Sequence, residues 1–191
     1  DLGIEYVAGD YQMNLTNDLT AAVLSQVGVS RQTISIELDH QRLKNLSTIG
    51  NIPLEMIVYG RIPAMNTRYC PMGSIIGQRE IKKPCNRPCV KNEYYLARDG
   101  KEYQVVGDHF CNIYILNDKV YSLFQHMEAI SQLCLDYWRI AGAFMAPSEL
   151  GEAVKVLSAL RKQIFGKEKK EINVFSFQTN TTDGHFIKGV R

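Results

Sequence analysis

Three short apolar runs, each separated from the next by one helical stretch, open the chain, and this alternation constrains the fold more than any other feature. Ile4–Ala8 reads as a strand. Asn17 then caps a helix carrying Leu19, Val23, Leu24 and Val27, which stops at Gly28. Thr33–Leu38 is the second strand, followed by a helix capped by Asp39, bearing Leu43, Leu46 and Ile49 and stopping at Gly50. Leu54–Tyr59 is the third strand, ended by Gly60. Strands spaced by single helices predict an α/β fold with a parallel sheet.

The rhythm breaks from Arg61 to Asn117. Glycines and prolines replace helical periodicity there, and Tyr94-Tyr95-Leu96 and Tyr103–Val106, joined through Asp99-Gly100, predict a β-hairpin. After it the rhythm resumes. A helix is expected over Ser122–Ser131, a strand over Cys134–Ile140, and a long helix opening at Pro147 with Leu150, Val154, Leu157, Leu160 and Ile164 on one face. Lys167–Lys170 is expected to be a solvated connector. The division is residues 1–60, a cysteine-rich insertion over 61–117, and a last βα unit with a tail over 118–191, all within one domain.

Composition sets outer limits. Hydrophobic residues at 45% and charged residues at 22% exclude global disorder. No apolar run approaches the roughly 20 residues that span a bilayer, so no membrane partner is expected. A net charge of +2 permits an RNA or phosphate partner without demanding one. The chain opens on Asp1 with neither an initiator Met nor a signal peptide, which reads as an excised piece of a longer, cytoplasmic protein.

Five cysteines are present, and four fall in the irregular stretch with the spacing Cys70-x14-Cys85-x3-Cys89-x21-Cys111. Four thiolates suit a closed tetrahedral zinc site or an iron–sulfur cluster, since both take soft sulfur ligands. Burial as small free hydrophobes is the alternative. Arg79, Lys82, Lys83, Arg87 and Lys91 surround the second and third cysteines, where they would offset thiolate charge, receive phosphate or simply face water. Cys134, between Leu133 and Leu135, is expected in the core. His109 lies near Cys111 as a thiol–imidazole pair would, but two residues apart on a strand it is expected at the surface or behind the site.

The stretch Glu55-Met56-Ile57-Val58-Tyr59-Gly60-Arg61-Ile62-Pro63-Ala64-Met65, followed by Tyr69-Cys70-Pro71-Met72-Gly73, resembles the collagenase-like peptidases, unassigned-type peptidase family 32. The likeness takes in Ile34–Leu38 upstream, then Cys85, Cys89, Tyr95-Leu96, Arg98-Asp99-Gly100 and Cys111, and closes on Gly184-His185-Phe186 and Gly189-Val190. The resemblance implies the C-terminal half of a TIM-like barrel with a long, partly β insertion. Its missing N-terminal half would be a partner, and a fragment with open sheet edges is expected to self-associate and to be inactive alone. Several relatives are similar to iron–sulfur proteins that support hydroxylation of transfer RNA, ribosomal RNA or ubiquinone precursors without oxygen.

Carried over by position, Cys70, Cys85, Cys89 and Cys111 would hold a cluster, 4Fe–4S in type, with zinc as a possible substitute. Asp10, Glu37 and Arg61 would be catalytic at strand ends, and Asn14, Arg139 and His185 would bind substrate. Each has a structural alternative: Asp10 and Glu37 as helix caps, Arg61 and Arg139 paired with Glu37 or Asp136, His185 in a packed turn. Three functions follow: an iron–sulfur-dependent hydroxylase of RNA bases or its accessory, a peptidase, and a zinc-bearing interaction module. The chain contains neither His-Glu-x-x-His nor Gly-x-Ser-x-Gly, so metal chemistry is favoured over proteolysis.

Overall fold

A computed structural model describes residues 5–46, 52–77, 79–80, 85–166, 177 and 180–189. The chain divides into two compact units: Asp1–Gly60 with Tyr121–Arg191, and Arg61–Val120.

The first unit is α/β. Its strands β1 (Ala8–Gly9), β2 (Arg31–Thr33) and β3 (Leu54–Gly60) run parallel in that order, and β9 (Tyr137–Ala141) lies parallel to β3. Helix α1 (Asp18–Gln26) connects β1 to β2, and α2 (His40–Leu46) connects β2 to β3. The caps are those read from the sequence. Asn17 Oδ1 accepts the Thr20 amide at 2.9 Å and Asp39 Oδ1 the Arg42 amide at 2.8 Å. Every residue of β3 is buried, because β9 covers Glu55–Gly60 along one edge while β2 and the antiparallel β8 (Val120–Ser122) share the other.

Several expected boundaries move. The first strand is Ala8–Gly9 rather than Ile4–Ala8, and the second is Arg31–Thr33 rather than Thr33–Leu38. The latter stops early because the Ser35 amide turns to Leu15 O and the Ser35 hydroxyl to Asn14 Oδ1. In α1, Ala21 and Leu24 are buried while Leu19, Val23 and Val27 face outward, so the expected stripe is rotated. Ser122 ends β8, and a short 3₁₀ turn (Phe124–His126) precedes α3 (Met127–Ser131). Cys134 is exposed, not core, because the chain bends between α3 and β9: Leu133 takes the buried position and the Asp136 amide bonds to Leu54 O. In α4 (Pro147–Phe165), Ala153 and Leu160 are buried and Val154 is not. Ile49, Gly50 and Lys167–Lys170 lie outside the described residues.

Among the described residues the sheet is open and no barrel closes. Four parallel strands are half the eight that a (β/α)₈ barrel requires. Near the end, Phe186 is buried between His40 and His126, beside β10 (Thr181–Thr182).

The second unit is an antiparallel sheet of order β4 (Pro63–Thr67), β7 (Ile113–Leu116), β6 (Lys101–Gly107) and β5 (Tyr94–Arg98). Its β5–β6 hairpin turns at Asp99 and Gly100, with φ of 51° and 74°, the two left-handed residues of a type I′ turn. Val105 and Ile113 from this sheet pack with Cys70 and Met72, against Cys89, Tyr94 and Ile115.

Candidate functional site

The second unit brings its four cysteines into one electrostatic neighbourhood. Cys70 follows β4 and is 8% exposed; its Sγ accepts the Gly73 amide at 3.2 Å. Ser74 N also donates to Cys70 O at 3.0 Å, which fixes the turn into a π-helical segment, Met72–Ile76. Cys89 sits in the 3₁₀ turn Pro88–Val90, entered through Arg87 at φ 54°. Cys111 is exposed at φ 62° in the loop between β6 and β7, a conformation rare for residues other than glycine.

Burial pushes the Cys89 thiol up, and the charges of Cys70 and Cys85 push it further, with a smaller push from Cys111. Thiolates gathered without a cation repel one another, and a bound metal relieves both the repulsion and the desolvation.

Three glycines stand against three of these cysteines. A Cβ on Gly73 would meet Cys70 Sγ at 3.3 Å, one on Gly77 would meet Cys85 Cβ at 3.1 Å, and one on Gly107 would meet Cys89 Cβ at 4.0 Å. At Gly73 and Gly77 it is space, not backbone angle, that asks for glycine, since neither has positive φ. No three His, Cys, Asp or Glu side chains among the described residues converge closely enough to hold a single metal ion. Zinc needs sulfurs about 2.3 Å from one point. A multi-iron cluster spreads its cysteines over separate irons, so a more widely set donor group fits it better. The chemistry of the donors and the space left by the glycines therefore fit a cluster.

His109 is not set up as a base for Cys111. It is exposed in the same turn, with its ring 3.9 Å from that of Phe110. Arg61 opens this unit and its charge lowers the Tyr95 phenol slightly against the stronger upward push of Glu93.

The first unit carries a second polar constellation, on one face of its parallel sheet. Trp138 meets Phe165 of α4 at 5.7 Å, so by alternation Tyr137 and Arg139 point to the opposite face. There Arg139 donates to Asp10 Oδ1 at 2.7 Å, to Glu55 Oε1 at 3.0 Å and to Thr33 Oγ1 at 3.2 Å. Thr33 Oγ1 in turn donates to Glu55 Oε1 at 2.8 Å, and Arg31 Nε lies 3.6 Å from Glu55 Oε2. The Arg31 guanidinium also sits 4.9 Å from the Tyr137 ring centre and 5.8 Å from that of Tyr6. Burial alone would lower the Arg139 pKa; the bonds and charges of Asp10 and Glu55 outweigh it and hold the guanidinium charged.

Asp10 and Arg139 are thus joined, and Arg139 pairs with Asp10 and Glu55 instead of Asp136, whose Oδ2 accepts the Leu54 amide at 2.9 Å. Glu37 is exposed on the loop before α2, and Asn14, at φ 54°, accepts the Ser35 hydroxyl at 2.8 Å. His185 holds the closing turn through Nδ1, 3.1 Å from Gly189 O. Sequence reasoning missed Glu55, 5% exposed, and with it Thr33 and Arg31. A carboxylate inside the apolar run Leu54–Tyr59 was the available signal, since a buried charge must be paired.

Together the parallel α/β unit and the four-cysteine unit that follows its third strand define a two-part protein built to hold soft-metal chemistry beside an α/β scaffold. The model of Peptidase family U32 matches residues 6–185, and the chain belongs to that family. No curated protein and no solved structure matches the chain.

Proposed function

We propose that this chain is the cluster-bearing part of an iron–sulfur protein that supports hydroxylation of RNA bases, in transfer or ribosomal RNA, directly or as an accessory. The observation that carries this reading is the gathering of Cys70, Cys85, Cys89 and Cys111, with glycines leaving room at three of them. Cys70, Cys85, Cys89 and Cys111 would hold a 4Fe–4S cluster, and zinc could substitute in its absence. When bound, such a cluster supplies one-electron transfer. The Gly73 amide donates to Cys70 Sγ, a contact that stabilises negative charge on sulfur. Arg79, Arg87 and Lys91 are exposed in the same unit and offset that charge. In the first unit, Asp10 and Glu55 hold the Arg139 guanidinium charged and oriented, so that Arg139 can receive an anionic substrate group.

The open parallel sheet fits one half of a barrel completed by further βα units or by a second copy. Supporting this, β1 pairs only with β2 among the described residues, with Tyr6 and Val7 exposed beside it, and Leu19, Val23 and Val27 form an exposed stripe on α1. No helix among the described residues is long and apolar enough to cross a membrane; a cytoplasmic site of action is part of the proposal.

The test is mass spectrometry of RNA nucleosides from cells carrying the protein with Cys70 and Cys89 replaced by Ser. Loss of one hydroxylated base, restored by the unmodified gene, is expected. An unchanged nucleoside profile together with metal-independent cleavage of denatured collagen by the purified protein would favour the peptidase reading that the family name carries.

A further inference from the structure

Beside Cys70 lies a cavity of about 400 Å³ lined by Arg68, Tyr69, Cys70, Ser74, Arg79 and Glu80. Arg79 is anchored there. Its amide donates to Gly73 O at 3.0 Å, and its Cδ comes within 3.8 Å of the point where a Gly73 Cβ would sit. Cys70 Sγ approaches the same point to 3.3 Å, so the arginine stem passes next to the sulfur. Arg68 and Arg79 are exposed and have no ion-pair partner among the described residues, and Tyr69 is 60% exposed although Cys70 beside it is buried. Glu80 is the one acidic group in the lining and leaves it net positive. The surrounding stretch, residues 61–91, holds seven basic residues and one acidic residue.

Two guanidinium forks facing one concavity match a phosphate, which arginine binds bidentately. An exposed aromatic ring at the same rim matches a base that is not stacked in a duplex. A peptide carboxylate would use the arginines but leave the ring idle. We propose that this cavity binds one nucleotide of a single-stranded RNA, with Arg68 and Arg79 on its phosphate, Tyr69 against its base and Ser74 available to its sugar. The site deepens the RNA reading above and rests on it. It places the bound nucleotide at the Cys70 edge of the four-cysteine unit.

The experiment is fluorescence anisotropy of a labelled single-stranded oligoribonucleotide with the full chain, over a range of salt concentrations, alongside iron analysis of the same samples. Arg68→Ala/Arg79→Ala is expected to weaken binding at least tenfold and to reduce the salt slope by about 1.4, at about 0.7 per lost phosphate contact. Tyr69→Ala weakens binding and Tyr69→Phe restores it. The Arg98→Ala/Lys119→Ala control binds as the unmodified chain does, and circular dichroism stays the same throughout. A mononucleotide that competes only at far higher concentration identifies the strand as the ligand, whereas equal competition would overturn the strand in favour of a free nucleotide. Unmodified protein that binds RNA with Arg68→Ala/Arg79→Ala unaffected, or weakened no more than the control, overturns the cavity and leaves the RNA reading standing. A chain that binds no RNA overturns both.

Discussion

Asp108 fixes the turn that presents Cys111. The Asp108 carbonyl accepts the Cys111 amide at 3.1 Å, and its Oδ1 accepts the amides of Phe110 and Asn112 at 2.9 and 2.8 Å. Asn112 Nδ2 donates to Oδ2 at 2.9 Å. This closed turn keeps Cys111 in the left-handed region that its side chain disfavours. The Asn112 side chain first, then the backbone amides, hold the Asp108 carboxyl below its ordinary value.

Asp108→Ala is therefore expected to release Cys111, so that the thiol of metal-free protein alkylates several-fold faster and less iron is retained. Because the carboxyl is depressed in the fold, the turn is fully held above about pH 4 and loosens only as acid protonates Asp108. Alkylation followed by peptide mass spectrometry reads both effects. An unchanged Cys111 rate in Asp108→Ala would remove this role.

Gly73→Ala and Gly77→Ala place a methyl against Cys70 Sγ and Cys85 Cβ, at 3.3 and 3.1 Å. Both variants should fold, since neither position has positive φ, yet retain less than half the metal of the unmodified protein. Gly151 is the contrast. It lies within α4 with nothing near its would-be Cβ, so Gly151→Ala should leave metal content alone and add about 0.5–1 kcal/mol of stability in urea.

Glu55→Ala removes the buried carboxylate shared by Arg139, Thr33 and Arg31. Breaking one side of such a network is expected to cost about 3 kcal/mol, discounted toward 2 because Arg139 keeps Asp10 and partial contact with water. The urea midpoint measures it. A shift below about 0.5 kcal/mol would mean that the network is not holding the sheet.

The raised Cys89 thiol makes metal uptake sensitive to pH. Ligation requires the thiolate, so binding of a probe such as cobalt should weaken as pH falls and release protons into solution. Metal-free protein shows the opposite trend in stability. With the folded pKa above that of a free thiol, its stability holds below about pH 8.5 and declines as pH rises past the folded value. Potentiometric titration and urea melts across this range check the two signs separately.

Much of the first unit was legible because each element carries a local signal: Asn17 and Asp39 as caps, Gly28 and Gly60 as stops, Asp99-Gly100 as a type I′ turn. Misplaced features depended on neighbours distant in sequence. Leu19, Val23 and Val27 satisfy helical periodicity yet face outward, because Ala21 and Leu24 meet the sheet instead. Cys134 looks buried by its apolar neighbours, but the bend into β9 turns it out. The Glu55–Arg139 pair spans 84 residues of sequence and becomes visible only through the parallel pairing of β3 and β9. Nor does cysteine spacing reveal the glycines opposite Cys70, Cys85 and Cys89, which only the folded loops bring into place.

The central claim is that four cysteines of one unit hold an iron–sulfur cluster, and metal and acid-labile sulfide analysis of protein purified without oxygen tests it most directly. About four iron and four sulfide per chain are expected for a 4Fe–4S centre, with a broad visible absorption band, both lost in Cys85→Ser/Cys89→Ser. Zinc without sulfide, or no metal at all in protein reconstituted with iron and sulfide under the same conditions, would contradict it.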